Sequence, residues 1–257
     1  MEQKMNSEFS AGTTAKNSTK DDGLHVSPAC IKPNVMRLPF SVRNNPLSEL
    51  YNMDCIEGMK HYPDKYFDLA IVDPPYGLCS KLAHAGNGKN AQSKFTDDFK
   101  LKKWDNTIPP YNYFIELFRV SKNQIIWGGN YFLDHLPSTR GFITWDKMVF
   151  IPTMSRIEMA WTSFDKLPLF VQINNNDANR IHLTQKPVKL YDHCIDYAKL
   201  LIGSRILDTH VGSGSSRIAC YNNGFDFVGF EIDEDYCKAS EKRFITATAQ
   251  QSLNFGG

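Results

Sequence analysis

The sequence predicts an α/β fold in which a mostly parallel sheet is covered by helices on both faces. Three observations lead there. Short apolar runs of strand length recur from Leu50 onward, helical patterns alternate with them, and two runs end in an aspartate at a Pro-rich or Gly-rich turn. The 257 residues suffice for one such domain with a large core. Apolar residues make up 42% and charged ones 22%, with 17 Phe, 11 Tyr and 4 Trp, which excludes a mostly disordered chain.

Taken in order, residues 1–45 form a flexible polar tail and an extended lead-in punctuated by Pro28, Pro33 and Pro39, and one domain is expected over 46–250. Buried strands are predicted at 67–72, 124–127, 142–145, 157–162, 205–207 and 227–230. Residues 113–120 set Phe114, Leu117 and Phe118 at helical spacing. Pro187 can open a helix with Leu190, Cys194, Ala198 and Leu201 along one side. The Gly-, Asn- and Lys-rich stretch 78–108 breaks the rhythm and reads as a long loop over a functional edge. No apolar run approaches the roughly 20 residues of a membrane span, and the first residues lack the apolar core of a secretory signal, so a cytoplasmic protein is expected. The six cysteines are scattered singly, indicating neither a metal site nor a disulfide framework. With 29 Lys+Arg against 28 Asp+Glu, nucleic-acid binding would need a local basic face.

Two turns carry the chemistry. The run from Phe67 to Val72 ends in Asp73-Pro74-Pro75-Tyr76. Ligands of open α/β sheets bind at the carboxyl ends of strands. Prolines fix φ and remove backbone donors, so the Asp73 carboxylate beside the Pro74 carbonyl forms an acceptor-only pocket suited to an amino group. Tyr76 could stack on the planar ring bearing that group. The same residues also suit a rigid strand-to-loop turn with a capping Asp. The second turn, Asp208-Thr209-His210-Val211-Gly212-Ser213-Gly214-Ser215, lies between a strand and a probable helix, and the next strand ends at Glu231. Glycines allow close approach of a ligand to the backbone, and the acid that follows can bind ribose hydroxyls. No lysine follows the glycines, which disfavours a phosphate-cradling loop. A plain tight turn is the alternative.

Together these residues resemble the amino-directed DNA methyltransferases that use S-adenosylmethionine, in the permuted group where Asp-Pro-Pro-Tyr precedes the cofactor glycines. Thr184-Gln185-Lys186-Pro187 is similar to that family's lysine motif. Asp54 and the stretches Trp127–Phe132 and Glu158–Thr162 also fit, so the resemblance covers about residues 48–245. It implies a circularly permuted, Rossmann-like class I methyltransferase fold with seven strands. By resemblance, Asp208 and the backbone of Gly212, Ser213, Gly214 and Ser215 hold the methionine end of the cofactor. Lys186 pairs with its carboxylate, Glu231 with Ile232 beside it takes the ribose end, and Asp54 with Cys55 contacts adenine. Asp73 serves cofactor and amine alike, and Pro74, Pro75 and Tyr76 complete the catalytic motif. Spacing alone would also allow Lys186 to be a solvated residue at a helix start. Many relatives have Asp-Pro-Phe at the glycine turn where this chain has Asp208-Thr209-His210, so His210 is expected to line the cofactor pocket and not to act as a base.

The implied function is site-specific methylation of adenine N6 in double-stranded DNA, the base being flipped out onto Tyr76. Lys81, Lys89, Lys94, Lys102 and Lys103 could grip phosphates, or simply be solvated. The stretch 163–184 is a short candidate for target recognition, which implies loose specificity or recognition shared across a homodimer. A cognate restriction endonuclease is compatible with the resemblance. Cytosine-N4 methylation is the nearest rival, although relatives acting on cytosine more often have Ser in place of Asp73. Methylation of RNA or of a protein glutamine uses similar chemistry. A non-catalytic nucleic-acid-binding protein on the same fold is the rival from another class, disfavoured by intact Asp73, Tyr76, Asp208 and Glu231.

Overall fold

The computed structural model describes residues 45–78, 107–149, 155–175, 180–182 and 184–254. All of them lie within the compact unit Asn34–Gly257. The tail up to residue 44 and most of the basic stretch 78–108, including all five candidate DNA-binding lysines, fall outside the described residues.

Eight strands form one sheet: β1 (Ser48–Tyr51), β2 (Phe67–Val72), β3 (Ser121–Trp127), β4 (Phe142–Asp146), β5 (Ile157–Thr162), β6 (Leu169–Gln172), β7 (Arg205–Asp208) and β8 (Asp226–Phe230). Their spatial order is β1-β8-β7-β2-β3-β5-β4-β6. Neighbours are parallel except where β5 runs antiparallel to both β3 and β4. The helices are α1 (Cys55–Met59), α2 (Tyr111–Val120), α3 (Val188–Ala198), α4 (Ser215–Asn222) and α5 (Glu234–Asn254).

The sheet has eight strands, against the seven the resemblance implies. Two of the eight, β1 and β6, are absent from the strands predicted from apolar runs, and both are edge strands. Each has four residues and at most one buried side chain, so neither leaves a continuous apolar run in the sequence. β6 arises inside 163–184, so part of that stretch belongs to the sheet. Central β2 shows the opposite signature. Leu69 and Ile71 enter one core cluster, Phe67, Ala70 and Val72 the other, and all five are buried. The first cluster takes in α3 and α4 through Leu190, Cys194, Ala219 and Cys220; the second takes in α1 and α2 through Met59, Tyr113, Phe114 and Leu117. The result is three layers.

Pro187 precedes α3 with φ −63°, and Leu190, Cys194 and Ala198 are buried as their spacing predicts. Leu201 departs from that stripe. The helix stops at Lys199 in the left-handed region, φ 56°, and Leu201 is 83% exposed. Among the described residues no helix is long and apolar enough to cross a membrane.

Candidate active site

Parallel pairing brings the carboxyl ends of β1, β8, β7 and β2 to one edge in that order. An acid follows or ends each strand: Asp54, Glu231, Asp208 and Asp73. Residues distant in sequence thus form a row of carboxylates where such sheets bind ligands.

At the β2 end, Asp73 is partly buried. Its Oδ1 accepts from the Tyr76 hydroxyl at 2.5 Å and its Oδ2 from Lys186 Nζ at 2.5 Å. Pro74 is buried beneath the turn, and Pro75 is half-buried. Lys186 is not solvated: 4% of its side chain is exposed, and its Nζ reaches Glu158 Oε2 at 3.2 Å as well as Asp73. Burial alone would favour the neutral amine, but the charges of Asp73 and Glu158 outweigh it and hold Lys186 above the usual lysine range. Burial, reinforced by the charge of Asp73, also pushes the Tyr76 hydroxyl well above its ordinary value, so it stays a donor.

The Tyr76 ring is already packed. Tyr131 stacks on it at 4.9 Å and 17°, and Phe132 meets it edge-on at 6.1 Å. Gly128, at φ 69°, permits this: a Cβ there would lie 2.1 Å from the Tyr76 ring. Chain flanking the basic stretch returns to the same place. A Cβ on Gly77 would sit 3.5 Å from Ile108 N, so the stretch leaves and re-enters beside the catalytic turn.

The β7 end is held by backbone. Asp208 is buried; its Oδ1 accepts from His210 N at 3.0 Å and its Oδ2 from Ser216 Oγ at 2.5 Å. Burial pushes its carboxyl up to about 7, against the pull of those two donors. Gly212 and Gly214 both have positive φ, and Gly214 caps α4. Gly212 N donates to Glu231 Oε2 at 2.8 Å, and Asp233 N donates to Glu231 Oε1 at 2.9 Å. Ser213 and Ser215 are buried beneath the turn and tied to Arg243, which donates to Ser213 O and Ser215 Oγ at 2.8 and 2.9 Å. His210 is half-buried and shares a 2.9 Å hydrogen bond with Thr209 Oγ1, which in turn exchanges one with the Tyr113 hydroxyl at 2.7 Å. Burial lowers the imidazole to about 4, so His210 is neutral at pH 7 and presents a ring to the pocket.

Asp54 lies at the outer end of the row. It is exposed, and its Oδ1 caps α1 by accepting from the Ile56 and Glu57 N–H groups. Burial pushes the Cys55 thiol up to about 12, so it is not a nucleophile. Ile232 is 66% exposed, its carbonyl and that of Glu231 both accepting from Asn52 Nδ2. The sequence reading missed three participants: Glu158 as partner of Lys186, Lys147 behind it, and Tyr131 over Tyr76. A charged residue in the strand pattern Ile157-Glu158-Met159-Ala160 was a visible signal for the first.

Residues 152–242 match the family described as DNA methylase, of the N6/N4 methyltransferase type. A curated relative, putative methylase YubD of Escherichia coli K12, is 24% identical over 82% of this chain and 95% of its own length. Among solved structures, the cytosine-N4-specific PvuII DNA methyltransferase superposes with TM-score 0.54 at 14% identity, over 77% of this chain and 87% of that one. A DNA modification methylase from Thermus thermophilus, solved with S-adenosylmethionine, gives TM-score 0.50 at 14% identity over 78% of this chain and 96% of that one. The structural likenesses establish a shared fold. With the family match and the curated relatives, they place this chain among the amino-DNA methyltransferases.

Proposed function

We propose that the protein transfers the methyl group of S-adenosylmethionine to the exocyclic amine of a flipped-out DNA base, adenine N6 in preference to cytosine N4. The observation that carries this reading is the Asp73 carboxylate. It stands at the carboxyl end of β2, beside the β7 turn, and is held by Tyr76 and Lys186.

The row of carboxylates fits that cofactor: Asp208 suits its ammonium, Glu231 its ribose hydroxyls, and Asp54 with Ile232 its adenine end. The Thermus relative's S-adenosylmethionine supports the class. When bound, the cofactor supplies an electrophilic methyl on a sulfonium. The chain's own residues then orient the amine. An aromatic amine is a poor nucleophile because its lone pair is delocalised into the ring. Acceptance of its two N–H groups by the Asp73 carboxylate and the Pro74 carbonyl favours a pyramidal nitrogen and aims the lone pair. Catalysis rests on alignment and electrostatics. Tyr76 offers a stacking face for the base once Tyr131 moves aside. The basic stretch that leaves and returns beside the catalytic turn supplies the phosphate grip.

Adenine is favoured because Asp73 stands where cytosine-directed relatives more often have Ser. The test is transfer of labelled methyl from S-adenosylmethionine to unmodified duplex DNA, followed by nucleoside analysis. N6-methyladenine is the expected product. N4-methylcytosine would overturn the base assignment and keep the mechanism. Absence of label in DNA would overturn the function.

A further inference from the structure

Behind Asp73 lies a buried acid that the methyl-transfer reading leaves without a task. Glu158 stands near the start of β5, and because β5 runs antiparallel, its first residues reach the same sheet edge as Asp73. Glu158 Oε1 pairs with Lys147 Nζ at 2.5 Å and Oε2 with Lys186 Nζ at 3.2 Å. The latter contact lacks hydrogen-bond alignment, so Oε2 is a buried oxygen facing Lys186 by charge alone. Two tryptophans wall the group: Lys186 Nζ is 5.5 Å from the Trp127 ring centre and Lys147 Nζ 5.8 Å from that of Trp145. Burial would raise the Glu158 carboxyl, but Lys186 and Lys147 pull it below its usual range, so it is ionised.

We propose that Glu158 is a positioning residue for methyl transfer, holding the Lys186 ammonium between two acids so that Lys186 steadies Asp73 without neutralising it. A lone Lys186–Asp73 pair in a water-poor site would draw the carboxylate's charge onto the lysine and weaken it as an acceptor for an amine. With Glu158 present, Lys186 divides its charge. Lys147, 13% exposed at the far side of Glu158, restores neutrality away from the reacting nitrogen. Fold stability alone does not account for the arrangement, since buried ion pairs seldom outperform apolar packing of the same volume. This inference rests on the methyl-transfer reading.

The experiment compares the full-length wild type with Glu158→Gln and Lys147→Met in the labelled-methyl assay, alongside calorimetric titration with S-adenosylmethionine and thermal melts. In Glu158→Gln, kcat at saturating cofactor and DNA is expected to fall about tenfold or more, with cofactor Kd changed less than about threefold. The alkaline limb of the kcat profile moves to lower pH, because Lys186 keeps Asp73, Tyr76, Tyr191 and Lys147 around it but loses one of its two acids. A merely structural role would lower the melting midpoint and leave that limb in place. Lys147→Met is expected to reduce kcat less, in the same direction, and carries the test if Glu158→Gln does not fold. Unchanged kcat in the variants, or a loss confined to cofactor affinity, overturns the inference alone. A wild type that moves no label onto DNA overturns the methyl-transfer reading and this inference with it.

Discussion

The two halves of the site are held by different means. At the β7 end, Asp208 and Glu231 accept from the backbone N–H groups of His210, Gly212 and Asp233, with one serine hydroxyl added. At the β2 end, Asp73 accepts from two side chains, and one of them, Lys186, lies 113 positions along the sequence. Backbone-held acids are fixed once the turn forms. Side-chain-held acids depend on which charges surround them and can change partner. A cofactor that is always the same suits the first arrangement; a base that must enter and leave suits the second.

The comparison breaks most visibly at Asp73. Asp73→Ala removes the acceptor and leaves the Lys186 ammonium buried with Glu158 alone. Methyl transfer is expected to fall at least about 10²–10³-fold, the range seen when one preorganised electrostatic partner is lost. Calorimetric binding of S-adenosylmethionine should persist, because Asp208, Glu231 and the glycine turn are untouched. Loss of cofactor binding together with activity would mean that the two halves are not separable.

Gly128→Ala should come next. The new Cβ would lie 2.1 Å from the Tyr76 ring, at a backbone φ of 69° that side-chain-bearing residues rarely adopt. Destabilisation of about 1–3 kcal/mol is expected, read as a lower melting midpoint. Displacement of Tyr76 should raise KM for DNA while cofactor Kd is kept. A variant with wild-type KM would show that Tyr76 does not meet the base.

The same contrast explains what could be read from the sequence. The β7 half is local: Asp208, Gly212 and Gly214 stand within a few residues, and Glu231 ends the adjacent strand, so the pattern is visible in linear order. Central strands such as β2 were equally legible, because burial on both faces leaves an unbroken apolar run. The partners of Lys186 were not legible. They depend on β5 running antiparallel, which carries Glu158 to the Asp73 edge, and no local pattern encodes strand direction. Tyr131 was hidden for a related reason, since its contact with Tyr76 passes through a turn opened by Gly128. Edge strands β1 and β6, half-exposed, gave no run to detect.

The backbone-held half makes its own prediction through pH. Burial raises the Asp208 carboxyl to about 7. A raised folded-state value means that its contribution to stability is full below about pH 4, the unfolded carboxylate range, and is lost as pH rises through about 7. Ligand binding runs the other way, because a cationic ammonium needs the ionised acid. Affinity for S-adenosylmethionine should therefore increase with pH up to about 7, by at most about tenfold per pH unit, and then level off. Titration calorimetry below pH 7 in buffers of different ionisation enthalpy should register proton release on binding. Asp208→Asn should flatten both effects. A pH-independent affinity in the wild type would remove Asp208 from the ammonium site.

The smallest expected effect tests the outer end of the cofactor row. Ile232 is 66% exposed, and its fixed feature is its carbonyl, which accepts from Asn52 Nδ2 at 3.1 Å and does not depend on the side chain. Ile232→Ala should therefore change the melting free energy by no more than about 0.5 kcal/mol, as for most surface substitutions. An exposed isoleucine beside Glu231 gains apolar contact only when something planar covers it. At about 0.8 kcal/mol per buried methylene, and with only part of the side chain covered, the loss in cofactor affinity should be roughly three- to tenfold. A drop in affinity without a change in stability separates a ligand-facing residue from a structural one. Unchanged affinity would move the adenine end of the cofactor away from Ile232 and leave Asp54 as its remaining candidate contact.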